Sequence, residues 1–348
     1  MKKIKIRFLI IAILVTCLLL TGCAQDVVDE TNGNNTEGNL VVHYMDVGQG
    51  DSILIQFPEE RVALIDGGTR ESGEKVVNYI KNLGIERIDY LIATHPHEDH
   101  IGGLPEVVRN FEIGKIYMPD KTANTKIFEE LLTEIDNKGL NITIAKGFQT
   151  IIDENNLSFV ILAPLKGDYP ETNDYSIVTK IEYVENSFLF TGDIEREAEM
   201  DLVEAGFNLK SDVLKVAHHG SSTSSTLEFL KEVTPDYSVI SLGKDNSYGH
   251  PHKEILERLN TIGTKILRTD ELGDIVIQSD GKNITVENVD VKETDKQIDE
   301  TVFIGNKNTK IFHSKDCKYL PKKENQIIFN SFKEAVDADY SPHAQCIK

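Results

Sequence analysis

The chain is short of positive charge. Its 37 Lys and Arg stand against 57 Asp and Glu over 348 residues, a formal net charge of -20. Sequence-independent binding of nucleic acid relies on many Lys and Arg contacts to phosphates, so a broad surface of that kind is not expected. Acidity of this degree is equally what a solvated, soluble surface gives. Long apolar runs are scarce as well. The stretch from Phe8 to Leu20 is 13 residues, too short for a hydrocarbon core of about 30 Å, which takes about 20. Four cysteines, Cys17, Cys23, Cys317 and Cys346, are too few for a disulfide framework in a chain of this length. There is no evident internal repeat, no Ser-His-Asp arrangement and no phosphate-cradling glycine loop, so no nucleotide cofactor is expected. Gly48-Gln49-Gly50-Asp51 follows a strand pattern but lacks the remaining glycines, and it reads as a tight hairpin turn.

Histidine is where the chain is concentrated. Thr94-His95-Pro96-His97-Glu98-Asp99-His100-Ile101-Gly102-Gly103 follows an apolar strand directly. Imidazoles at i and i+2 on an extended segment point to the same side, so His95 and His97 can converge on one cation, while Asp99 and His100 turn toward a second. Two neighbouring divalent cations repel unless an anion lies between them, which calls for a bridging carboxylate and a further imidazole downstream. Both are present. Ser187 to Asp193 reads as a buried strand ending in a carboxylate, and Val213 to Ser221 repeats the design with His218 and His219. Upstream, Val62 to Gly68 ends a strand on Asp66, suited to a hydrogen bond that orients a ligand histidine. Of the other histidines, His252 falls at the start of a helix as a surface or capping residue, and His43 alternates with apolar neighbours as ordinary sheet packing.

These motifs, in this order, resemble the metallo-β-lactamase-fold hydrolases, and specifically the hydrolase domain of competence DNA-uptake proteins. The likeness is carried by Tyr44 to Ser52, Leu64 to Gly68, Thr94 to Gly103, Asn173-Asp174-Tyr175-Ser176, Thr191-Gly192-Asp193, Lys215 to Ser221 and Tyr248-Gly249-His250-Pro251, within residues 40 to 287. It implies an α+β chain with a four-layer αββα fold and two divalent ions, Zn or Mn. By position, His95, His97 and Asp193 would hold the first ion, and Asp99, His100, Asp193 and one of His218 or His219, with His219 favoured, the second. Asp99, His218 and His250 would serve catalysis, the two histidines by donating to developing negative charge, and a water shared by the ions would be the nucleophile. The family pattern also has an isolated histidine before the bridging aspartate. This chain has none between His100 and His218, a departure shared with the competence-type branch and a related secreted phosphorylcholine esterase. The implied activity is metal-dependent phosphodiester hydrolysis, with DNA as the substrate. In so acidic a chain a polyanionic substrate would be held by the ions and a local basic rim that includes Lys215, Lys244 and Lys253. The alternatives are a cell-wall phosphodiesterase acting on teichoic acid phosphorylcholine, or a non-catalytic surface module.

The ends add an address and a second metal motif. A basic start, the short apolar core and Thr21-Gly22-Cys23 resemble a bacterial lipoprotein signal over residues 1 to 22. Lipidation of Cys23 would tether the protein to the outer face of the membrane through a flexible stalk, residues 23 to 39. After the hydrolase domain, 40 to 287, an acidic linker over 288 to 300 leads to a small tail, 301 to 348. In the tail, His313-x3-Cys317 and His343-x2-Cys346 have the spacing of a tetrahedral zinc site, while the two thiols could instead form a disulfide. The tail resembles the metal-binding module of the Ada DNA-repair protein, with His343 where such modules usually have cysteine. Between the motifs, helices are expected over Gly73 to Leu83, Thr125 to Lys138, Ile194 to Ala205 and Ser224 to Val233. Strands are expected over Lys115 to Met118, Phe159 to Leu162, Ile177 to Tyr183 and Tyr237 to Ser241, with a closing hairpin bounded by Gly273-Asp274 and Asp280-Gly281.

Overall fold

Short strands whose alternate residues face opposite ways need apolar cover on both faces, and two such sheets supply it for each other. In Ile53–Gln56, Ile53 and Ile55 enter one core and Leu54 another; in Val62–Ile65, Ala63 and Ile65 oppose Leu64; in Asn186–Phe190, Phe188 and Phe190 oppose Leu189. The computed structural model describes residues 38 to 287, except 155, and 302 to 347. The proposed lipoprotein signal, Cys23, nearly all of the stalk and the linker lie outside the described residues. Among those described, no helix is long and apolar enough to cross a membrane.

The strands in chain order are β1 (Leu40–Tyr44), β2 (Ile53–Gln56), β3 (Val62–Ile65), β4 (Arg87–Ile92), β5 (Glu112–Met118), β6 (Ile142–Ile144), β7 (Gln149–Glu154), β8 (Leu157–Ala163), β9 (Val178–Tyr183), β10 (Asn186–Phe190), β11 (Val213–Lys215), β12 (Tyr237–Ile240), β13 (Lys265–Arg268), β14 (Ile275–Ser279) and β15 (Ile284–Glu287). One sheet runs β15-β14-β1-β2-β3-β4-β5-β6, the other β13-β12-β11-β10-β9-β8-β7. The core between them joins Val42, Ile55 and Ile65 of the first to Phe159, Phe188 and Val239 of the second. Helices Gly73–Asn82, Leu104–Asn110 and Lys126–Asn137 cover the outside of the first sheet. Helices Arg196–Glu204, Leu227–Val233 and Lys253–Ile262 cover the outside of the second. This is the four-layer αββα arrangement.

The expected helices and strands form with boundaries shifted by at most three residues, and at two helix starts a cap explains the shift. Thr125 accepts from the Phe128 backbone N–H, so its helix begins at Lys126; Thr226 does the same for Phe229, so that helix begins at Leu227 rather than at Ser224. The closing hairpin differs in one detail: Asp280-Gly281 is its turn, and Gly273-Asp274 precedes β14. The reading of Gly48 to Asp51 as a tight turn is also corrected. Residues 45 to 52 form a longer loop that crosses to the histidine cluster, where the Asp51 N–H donates to the Asp99 carbonyl at 3.1 Å. Gly50, at φ 139°, makes that approach: a Cβ there would lie 2.2 Å from the Asp99 carbonyl oxygen.

The tail is a four-stranded sheet of β16 (Phe303–Asn306), β17 (Ile311–Ser314), β18 (Gln326–Phe329) and β19 (Ser341–Pro342), ordered β18-β16-β17-β19, with helix Phe332–Asp337. Phe303, Phe312, Phe332 and Ile347 share one apolar cluster with Ile255, Leu259 and Phe229 of the body, and Lys210–Asp337 and Lys333–Asp236 pair at its edge, at 2.8 and 2.6 Å. Phe332 meets Phe303 and Phe312 edge-on. Phe332→Ala should therefore cost about 3–5 kcal/mol, read as a lowered urea midpoint, and should expose the tail to limited proteolysis before the body.

Candidate metal centre

β3 and β4 are parallel, as are β10, β11 and β12. Residues that follow such strands emerge at the same end of a sheet, which is where open α/β sheets form their sites. Asp66 follows β3, Thr94 and His95 follow β4, Asp193 follows β10, His219 follows β11 and Ser241 follows β12. The helix Glu98–Ile101 turns His100 inward directly after the extended His95 to His97 segment.

Asp99, His100, Asp193 and His219 bring four ligand atoms within 4.8 Å of one another. His100 Nε2 lies 3.1 Å from Asp193 Oδ2, and His219 Nε2 lies 3.4 Å from Asp193 Oδ2 and 3.3 Å from Asp99 Oδ2. Atoms that each sit about 2.1 Å from one cation stand about 3.0–3.4 Å apart, so these separations suit a shared ion. His100 Nε2, His219 Nε2 and Asp193 Oδ1 are buried without a hydrogen-bond partner, which a buried polar atom avoids unless something else occupies it. The donor set therefore fits a divalent cation. His95 and His97 stand alongside, with His95 Nε2 3.0 Å from His97 Nδ1 and the His95 ring centroid 4.1 Å from that of His100. They are matched to each other, but they do not join the group of four.

Neighbours fix the ring orientations. Asp66 Oδ2 lies 2.8 Å from His100 Nδ1, and both its oxygens accept from Thr94. Ser241 O takes His219 Nδ1 at 2.9 Å, and Ser176 Oγ contacts His95 Nδ1 at 3.2 Å while accepting from the Asp193 N–H. His218 and His219 both adopt left-handed backbone, φ 51° and 54°, a conformation costing about 1–3 kcal/mol that concentrates at functional sites. That kink sends adjacent rings to different places. His219 is buried; His218 is partly open, 3.9 Å from Asp193 Oδ2, with Nδ1 near Glu195 and Thr223. His250 stands over this edge, its ring 5.8 Å from His218 and stacked on the exposed Tyr248.

Charge follows from the packing. Burial opposes ionisation of His100 and His219, yet Asp193 and its neighbouring carboxylates hold both well above the usual histidine range. Asp193 and Asp99 are likewise held well below the usual carboxylate range by His100 and His219 in spite of burial. Burial lowers His218, and burial with the adjacent His219, His218 and His252 brings His250 to about 4, so both are neutral donors at pH 7.

One pair escaped the sequence reading. Lys215, expected at a basic rim, is fully buried, and its Nζ meets Asp51 Oδ2 at 2.6 Å. Asp51 Oδ1 in turn lies 3.5 Å from His219 Nδ1. The signal was a lysine inside the apolar run Val213 to Ala217, which a buried strand tolerates only with a carboxylate at hand. Of the other rim lysines, Lys253 is exposed and pairs along its helix with Glu257, while Lys244 is exposed in the loop near His250. His252 sits at the N-terminus of its helix, and His43 bonds Tyr79 and Gln56 within sheet packing.

The tail gathers its own four ligands: His313, Cys317, His343 and Cys346. Cys317 Sγ lies 3.5 Å from His313 Nδ1, and Cys346 Sγ lies 3.3 Å from His343 Nδ1 and 3.7 Å from His313 Nδ1. A tetrahedral zinc holding sulfur at about 2.3 Å and nitrogen at about 2.05 Å sets them about 3.6 Å apart. Both thiols are free, so the disulfide alternative is not what the chain adopts.

The sequence profile of the Metallo-beta-lactamase superfamily matches residues 45 to 244, and that of the Metal binding domain of Ada matches residues 289 to 347. Among curated relatives, "ComE operon protein 3" of Bacillus subtilis is 34% identical over 251 residues, covering 67% of this chain and 32% of that protein. "Competence protein ComA" of Neisseria gonorrhoeae is 33% identical, covering 68% and 32%, and "Recombination protein 2" of Haemophilus influenzae 29% identical, covering 67% and 28%. The chain thus spans about a third of the length of the curated relatives it matches.

Two outcomes follow for metal content. His219→Ala should weaken divalent-ion affinity by at least about tenfold, and Asp66→Asn by about 10–100-fold, whereas His218→Ala should keep the ion, as read by titration calorimetry. Cys346→Ser should remove one zinc equivalent by elemental analysis and lower the melting temperature, because zinc binding at such sites adds to folding stability.

Proposed function

The chain belongs to the metallo-beta-lactamase superfamily of metal-dependent hydrolases, and from that premise we propose that it is a phosphodiesterase acting on DNA outside the cell membrane. The observation that carries this reading is the convergence of Asp99, His100, Asp193 and His219 with partnerless ligand atoms, beside neutral donors. Divalent ions bound there supply Lewis acidity and bring a coordinated water toward ionisation near neutral pH.

The chain's own residues supply the rest. Asp193, with Oδ2 against His100 and His219 and Oδ1 without a partner, has an oxygen left for a second ion. Asp66, Ser176 and the Ser241 carbonyl hold ring orientations before substrate arrives, which avoids reorganisation during reaction. Asp99 stays ionised and orients the attacking water. His218 and His250, neutral and at the open edge, donate to oxygens that gain charge. Resemblance to competence-type hydrolases favours DNA as the polymer, and the basic start with Cys23 after a short apolar stretch supports a lipid tether on the outer face.

Linear DNA incubated with the purified protein and Mn²⁺ or Zn²⁺ should be degraded, and Asp193→Ala should abolish this without loss of fold by circular dichroism. Intact DNA under both metals, with release of phosphorylcholine from a phosphorylcholine ester, would transfer the assignment to a cell-wall substrate. Activity untouched by Asp193→Ala would refute the site.

A further inference from the structure

In an acidic chain, a crevice of about 310 Å³ is lined by three cations, Arg196, Lys231 and Arg258, against one carboxylate, Glu228. That volume is within the about 300–1,000 Å³ of small-ligand sites. Arg258 is committed to structure, donating to the carbonyls of Ser224 and Ser225. Arg196 and Lys231 are in no ion pair among the described residues. Lys231 is half-buried and makes no close ion pair, and burial lowers its pKa despite the nearby Glu228, so its positive charge is held in partial dehydration. Such a charge gains most from an anion that enters the crevice.

The far wall is the tail, through Ala344 and Ile347. Over residues 302 to 347 the tail carries seven lysines against five acidic residues, the reverse of the chain as a whole. The crevice is also tied to the edge of the metal centre. Arg196 is the third residue after Asp193, its N–H donates to the Thr223 carbonyl at 3.1 Å, and Thr223 Oγ1 lies 3.2 Å from His218 Nδ1.

We infer that this crevice binds backbone phosphates of a polynucleotide on one side of the bond being cleaved, so that the body and the zinc-binding tail grip the substrate together. The inference rests on the phosphodiesterase reading and adds a role for the tail. It also answers how a chain of net charge -20 holds a polyanion: through a local subsite, without a broad basic face.

The test is fluorescence anisotropy with a labelled phosphorothioate oligonucleotide of roughly 20 nucleotides, which resists cleavage, across a salt series with Mn²⁺. Arg196→Glu with Lys231→Glu should weaken binding by at least about tenfold and reduce the salt slope by about 1.4, the amount for two single-strand phosphate contacts. The milder Arg196→Gln, at an exposed position, should give about half that change in slope. Unchanged affinity and slope in both variants would overturn the inference, as would binding of a glycerol phosphate polymer in place of the oligonucleotide. Hydrolysis of bis(p-nitrophenyl) phosphate by the parent protein reads the metal centre separately. Failure there refutes the phosphodiesterase reading, while the anisotropy result still decides whether the crevice holds the strand.

Discussion

Negative charge buried at the strand ends is the constraint on which this architecture rests. Asp51, Asp66 and Asp193 are all essentially inaccessible to solvent, and Asp99 is partly so. Burying carboxylates costs several kcal/mol each unless something positive stands against them. The protein answers in two ways. Asp51 has a permanent partner in Lys215, and Asp66 is held by Thr94 and His100. Asp99 and Asp193 have only imidazoles, whose charge is conditional on pH, and those imidazoles keep ring nitrogens without hydrogen bonds. Two carboxylates are thus balanced in a way that a divalent ion would improve.

The backbone carries that tension visibly. Asp66, His218 and His219 all take left-handed conformations, which side chains bearing a Cβ adopt reluctantly. The surrounding sheets over-determine them: the strand ends are clamped by parallel pairing, and Gly50 lets the Asp51 loop close onto the Asp99 backbone. Strain that survives in this way marks a place where geometry has been kept for chemistry.

Much of this could be read from the chain alone, because the ligand residues lie in contiguous motifs at the ends of apolar runs and the period-2 pattern of those runs is strong. The strand ends bearing Asp66, Asp193 and His219 and the grouping of the tail ligands follow from local spacing, while the four layers follow from the family resemblance those motifs carry. What could not be read is long-range. Asp51 sits in a glycine-rich loop far in sequence from Lys215, and no local pattern announces their pairing. The choice between His218 and His219 depends on a backbone kink that adjacent identical residues conceal. The tail looked like a separate module after a polar linker, yet its Phe303, Phe312 and Phe332 are buried together with body residues, an interaction visible only once Ile255 and Leu259 are seen to present an apolar face.

The Asp51–Lys215 pair sets a rule for how this sequence can change over time. Either residue lost alone strands an opposite charge in the interior, at a cost of about 3–5 kcal/mol, a sizeable part of the stability of an ordinary domain. An exchange of both for well-packed apolar groups could be neutral for the fold, but it would withdraw the carboxylate facing His219. Drift at these two positions is therefore tied to the centre they support, and descendants that have abandoned the pair are expected to have abandoned the chemistry with it.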